Sequence, residues 1–170
     1  MASRQLRCWS PNEIAWAEPV RNPPTFFKRR RRTAAQRRGI SYEGQVHGEL
    51  TRRCHAPLAY FPSPWFVYRI HGDSHFYFCQ PDGVAFDFRR GIVYVFEVKY
   101  SHTNDAWRQL KHLYSPVLRS CFPPRLWEFR LVEVCRLFDC EIQCDATLDL
   151  VRDFRDPSVA ELQVMIWKPK

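Results

Sequence analysis

Residues 80–100, QPDGVAFDFRRGIVYVFEVKY, contain a strand that must be covered on both faces. Val93, Tyr94, Val95, Phe96 and Val98 are β-formers in a nearly unbroken apolar run. Such a run does not suit a sheet with one wet face and calls for a layered fold. Residues 84–88 read as its hairpin partner, joined through a tight turn at Arg89 and Arg90. Asp82, Glu97 and Lys99 break the apolar pattern. A period of two puts Glu97 and Lys99 on one face, and a covered carboxylate beside an ammonium is costly unless something pairs or coordinates both.

A chain of 170 residues, 45% apolar and 15% aromatic, can bury a core as one domain. No apolar run approaches the roughly 20 residues that span a bilayer, and residues 1–13 lack the apolar stretch of a signal peptide. The expectation is a soluble cytoplasmic protein with no membrane partner. Seven cysteines, an odd number with no C-x-x-C pair, read as reduced thiols.

The pattern along the chain predicts alternating helices and strands. Ser10, Pro11, Asn12 and Glu13 have the form of a capping box with proline at the first helical position, which predicts a short helix to about Glu18. Residues 1–27 are expected to pack on the core through Trp9 and Trp16. A longer helix is expected over 33–53, where Tyr42, Val46 and Leu50 recur at four-residue spacing. Residues 57–64 read as a proline-rich break, followed by strands at 65–70 and 75–79 and then the hairpin. A helix at 104–119, a strand at 127–138, a helix at 147–154 and a strand at 162–167 complete the reading. Helix, three or four strands, helix, strand is an α/β layer order.

Pro81-Asp82 followed by Glu97-Val98-Lys99 resembles the signature of the PD-(D/E)XK nuclease superfamily. Upstream, residues 39–46, GISYEGQV, resemble that family's first helix with its glutamate, Glu43, and downstream Gln109 lies on a second helix. The resemblance implies a restriction-endonuclease-like αβββαβ core, a mixed central sheet flanked by helices, over residues 33–144. An N-terminal arm (1–32) and a C-terminal extension packed on the core (145–170) would frame it.

It also implies a metal-dependent nuclease. Asp82, Glu97, Glu43 and the carbonyl of Val98 would hold Mg²⁺ or Mn²⁺, because hard oxygen ligands suit these ions. Lys99 would orient water or stabilise charge on the phosphate, with Gln109 beside it. The family's exonuclease-like branch carries Q-x-x-x-Y, whereas here the tyrosine is Tyr114, five residues on. On an α-helix that is about 500°, which turns Tyr114 roughly 140° away from Gln109 and leaves it out of the expected site. An iron-sulfur cluster on Cys54, Cys135, Cys140 and Cys144 is not expected, since the spacing lacks a tight pair.

Residues 28–38, KRRRRTAAQRR, hold seven positive residues and no acid, nearly the whole net charge of +8. Arg29, Arg30, Arg31, Arg32, Arg37 and Arg38 therefore suit phosphate contacts. His47, Arg52, Arg53, Arg108 and Lys111 are further candidates for the DNA backbone. The expected partner is DNA, with RNA, the mode of cutting and the oligomeric state left open. Two other readings stand: a protein of this fold that binds nucleic acid without cleavage, and a basic interaction protein whose arm does the work. The last predicts that the carboxylates of the core lie scattered.

Overall fold

A computed structural model describes residues 10–22, 33–137 and 162–169. Ten-residue strand β6 (Ile92–Ser101) is the centre of the architecture, and two helical layers cover it. A five-stranded sheet has the order β2 (Leu58–Pro62), β5 (Gly83–Asp87), β6, β7 (Glu128–Leu137), β8 (Leu162–Ile166). The β2, β5 and β6 strands run antiparallel, whereas β6, β7 and β8 run parallel, so the sheet is mixed. A second, three-stranded antiparallel sheet joins β1 (Ile14–Val20), β3 (Trp65–Ile70) and β4 (Tyr77–Cys79). The protein is α/β.

Alternation along β6 divides the core in two. Ile92, Tyr94, Phe96 and Val98 face helix α1 (Ala34–Arg53), whose Tyr42, Val46 and Leu50 form its buried stripe. Thr33 caps that helix by a reciprocal pair of bonds with Gln36, which fixes its start. Val93 and Val95 face the opposite layer, where Leu110, Tyr114, Val117 and Leu118 pack against them. That layer is one continuous helical stretch: α2 (Asn104–Gln109), a π-helical segment (Leu110–Tyr114) and α3 (Ser115–Cys121). The small sheet adds Ile14, Ala17, Phe66, Tyr68 and Cys79 to the same core.

Three local expectations are corrected. The capping box at Ser10 forms, but it closes only a single 3-10 turn, Pro11–Glu13, and the chain then enters β1 rather than a helix. Pairing with β3 outweighs local propensity, because it satisfies the backbone and buries Ile14 and Ala17. Trp16, expected as the anchor, is 38% exposed and meets Phe76 edge-on. The proline-rich break contains β2, with Pro62 at its last position; an edge strand tolerates proline, which lacks a ladder donor. In addition, β3 and β4 do not join the central sheet, whose strands between the helices are β2, β5 and β6.

Trp9, residues 28–32, Cys140, Cys144 and the expected helix at 147–154 lie outside the described residues. Among the described residues no helix is long and apolar enough to cross a membrane. Leu50 is fully buried between α1 and β6. Its replacement by alanine should leave a cavity and lower the unfolding free energy by about 2–5 kcal/mol, read from urea denaturation; a change below about 1 kcal/mol would show that the stripe is not packed as described.

Candidate functional site

The site lies where β5 begins and β6 runs past it. The β5–β6 ladder pairs Gly83 with Phe96 and stops there, so β6 continues through Glu97, Val98 and Lys99 without a β5 partner. Asp82 fills the gap: its Oδ2 accepts the Val98 N–H at 2.7 Å. The N–H and C=O of a strand residue point to the same side, so the Val98 carbonyl also faces Asp82. Loss of one strand thus exposes backbone polar groups at the point where two carboxylates meet.

Glu97 and Lys99 share the face of β6 turned to α2, as the period of two requires. The Lys99 ammonium donates to Glu97 Oε1 and to Gln109 Oε1, the latter at 3.1 Å. Glu97 is 2% exposed, and its Oε2 is buried without a geometrically defined hydrogen-bond partner. Burial first and the Asp82 charge second push Glu97 up to about 8, against the pull of Lys99. Asp82 is pushed up to about 6 by burial, with the Val98 N–H opposing and the Glu43 charge adding to the rise. Burial disfavours charge on Lys99, but the Glu97 carboxylate outweighs it and the ammonium titrates above its usual range.

On the α1 side, Glu43 and His47 stand one turn apart, with Glu43 Oε1 and His47 Nε2 at 3.3 Å. His47 Nδ1 is hydrogen-bonded to the Tyr60 hydroxyl at 2.6 Å, and Ser63 Oγ lies 3.4 Å from Nε2. His47 is therefore held inward by three groups. Glu43 acts on Asp82 and Glu97 by its charge rather than by contact. Ser63, in the left-handed region at φ 45°, donates its N–H to the Asp82 carbonyl at 2.8 Å and accepts from Gln80 Nε2 at 2.9 Å. Gly83 is required beside them: a Cβ there would fall 2.5 Å from the Tyr60 hydroxyl oxygen.

Tyr114 corrects the helical-wheel expectation. The π segment absorbs one extra residue, with Ser115 N–H donating to the Leu110 carbonyl, so five residues here span about one turn. Tyr114 returns to the Gln109 face and is buried next to Glu97. Burial, then the charges of Glu97 and Asp82, drive its phenol well above the usual range. On β7, Glu133 is the register partner of Glu97 and fully buried. It accepts the Thr103 N–H at 3.4 Å and pairs with His102 Nδ1 at 2.9 Å. The signal that marked Glu97, one charge inside an apolar strand, is equally present in LVEVCRL at 131–137.

Arg52 and Arg53 are both tied to Glu49 near the end of α1. Arg37, Arg38 and Arg108 are exposed, and Lys111 sits 4.7 Å above the Trp107 ring.

Among the described residues no group of three or more His, Cys, Asp and Glu side chains is gathered to hold a metal unaided. Mg²⁺, however, commonly uses one or two carboxylates and completes its shell with water and substrate oxygens. Asp82, Glu97 and the Val98 carbonyl offer oxygen donors of that kind, and such a set would fit a divalent cation. Comparisons with protein-family models, curated proteins and solved structures find no match to the chain.

Because both carboxyls titrate higher in the folded chain than unfolded, the native state binds more protons between about pH 4 and pH 8, and stability falls as pH rises through that window. A divalent cation bound by these oxygens, tested with Mn²⁺, would therefore raise the melting temperature more at about pH 8 than at about pH 5, where protons hold the same oxygens. Asp82→Asn should lose less metal-free stability across the window, by of order 2 kcal/mol, and lose the Mn²⁺ effect. A cation effect independent of pH would contradict this account.

Proposed function

We propose that the protein is a metal-dependent phosphodiesterase built on a restriction-endonuclease-like core. More specifically, we infer a nuclease that hydrolyses DNA with Mg²⁺ or Mn²⁺. The observation that carries this reading is the meeting of buried Glu97 with Asp82, with Lys99 held between Glu97 and Gln109. A structural ion pair alone does not account for it, since Asp82 is a second, half-buried acid that Lys99 does not contact by hydrogen bond. The element order α1, β2, β5, β6, α2–α3, β7 supports the same core.

A divalent ion held by Asp82, Glu97 and the Val98 carbonyl would polarise the scissile phosphate and lower the pKa of water. The chain's own groups do the rest. Lys99 has its ammonium fixed at two oxygens, so it is aimed before substrate arrives and can orient the attacking water or neutralise charge building on phosphorus. Gln109 positions Lys99, and Tyr114 is buried next to Glu97. The raised carboxyls imply that activity climbs with pH as they ionise.

Chelator, Asp82→Ala and Glu97→Ala should each abolish cleavage, whereas Lys99→Ala should bind DNA as before and lose cleavage at saturating substrate. Gel assays with both ions, paired with binding titrations, read this directly. A wild type that cuts neither DNA nor RNA would sink the reading. Changing Arg29, Arg30, Arg31 and Arg32 together to alanine should lower the slope of log affinity against log salt by up to about 3.6 on duplex DNA. Cleavage at saturating substrate should survive; an unchanged slope would show that these arginines do not touch phosphate.

A further inference from the structure

At the other end of the β5–β6 hairpin, aromatic rings and arginines meet on the surface. The turn between the strands carries Phe88, which is 60% exposed and stacks on Phe86 at 14° with ring centroids 5.9 Å apart. Trp127 meets both rings edge-on, at 5.6 Å and 5.8 Å. Next to them Leu126 is 64% exposed. Phe88 therefore has one face supported and the other turned to solvent.

The turn that presents it is fixed. Asp87 Oδ1 accepts the N–H groups of Arg89 and Arg90 at 3.1 Å and 3.0 Å. Gly91, at φ 66°, accepts the Glu128 N–H at 2.8 Å, and a Cβ there would stand 3.2 Å from the Leu126 carbonyl oxygen. A cavity of about 510 Å³ opens beside the turn, lined by Arg90, Arg119, Arg125 and Trp127, with Glu128 as the acid in its wall. Arg119 lies over the Phe129 ring. Among the described residues, Arg89 and Arg125 have no acid partner.

We propose that the exposed Phe88 ring and the cavity beside it bind an unpaired nucleic-acid strand, a base stacking on Phe88 while Arg89 of the turn and Arg90 and Arg125 of the cavity take its phosphates. The ligand must offer a flat π face and negative charge at adjacent positions, which a nucleic-acid strand does at every residue and an acidic peptide only where an aromatic residue stands beside an acid. It must also be unpaired, because bases inside a duplex already stack on each other. The pocket is separate from the carboxylate cluster: five residue steps along β6 separate Ile92 from Glu97, about 17 Å. The inference rests on the proposed action on nucleic acid and adds that the preferred substrate has a single-stranded portion.

The test uses the full chain in chelator, so that binding is read without cleavage. Labelled oligothymidylate and a blunt duplex are titrated against wild type, Phe88→Ala and Arg125→Ala. Both side chains are exposed, and circular dichroism checks that each variant folds. Phe88→Ala should weaken oligothymidylate at least about fivefold and the duplex less than about twofold. Arg125→Ala should lower the salt slope for the single strand by about 0.7. Equal losses on both DNAs would leave a plain charge effect and overturn the stacking assignment. Unchanged affinities, or displacement of the oligonucleotide by polyglutamate at matched charge, would overturn the pocket. If wild type still cuts duplex in those cases, the proposed nuclease stands without it; if wild type binds neither DNA, both readings fall.

Discussion

Coverage of β6 on both faces is the constraint from which the rest of the architecture follows. A strand whose residues from Ile92 to Val98 are all buried needs a layer on each side, and α1 and α2–α3 supply them. Ladders with β5 and β7 satisfy its backbone, and both neighbours inherit the same burial. Charges on such strands need partners, as Glu133 on β7 finds in His102 and the Thr103 N–H. Glu97 and Lys99 lie beyond the last β5 pair, where Asp82 and the Val98 backbone replace a ladder bond. The cluster is thus a product of strand length: β6 outruns β5, and the excess turns inward-facing polar groups toward a common point.

How much of this was legible depends on whether the signal was local. The hairpin, the α1 stripe of Tyr42, Val46 and Leu50, and the shared face of Glu97 and Lys99 could be read from periods of two and near four along single elements, whereas Asp82 and Gln109 entered only through the resemblance. The two short strands β1 and β2 could not. Each depends on a partner far along the chain, Ile14 on Ile70 and Leu58 on Asp87, and local capping and proline signals pointed elsewhere. Separation of β3 and β4 into a sheet of their own is likewise a property of pairing.

The site itself divides the same way. Residues that violate an apolar pattern announce themselves, as Glu97 did and as Glu133 does in the neighbouring strand. Tyr60 and Ser63 do not, because each is ordinary in its own segment and matters only through His47 and Asp82. Tyr114 was missed for a different reason. Its spacing from Gln109 was read with the pitch of an α-helix, and the chain locally has another pitch.

That local pitch has a consequence for how the helix relates to chain length. A π turn is a one-residue surplus stored within a helix, so the segments before and after it keep their faces. Ala106 on one side, Val117 and Leu118 on the other, stay buried as they would in a helix one residue shorter. The distance in sequence between the glutamine and the tyrosine is therefore not a fixed quantity for this architecture. Two chains could differ by a residue here and still present the same pair of side chains to Glu97 and Lys99, with the difference hidden in the width of a single turn.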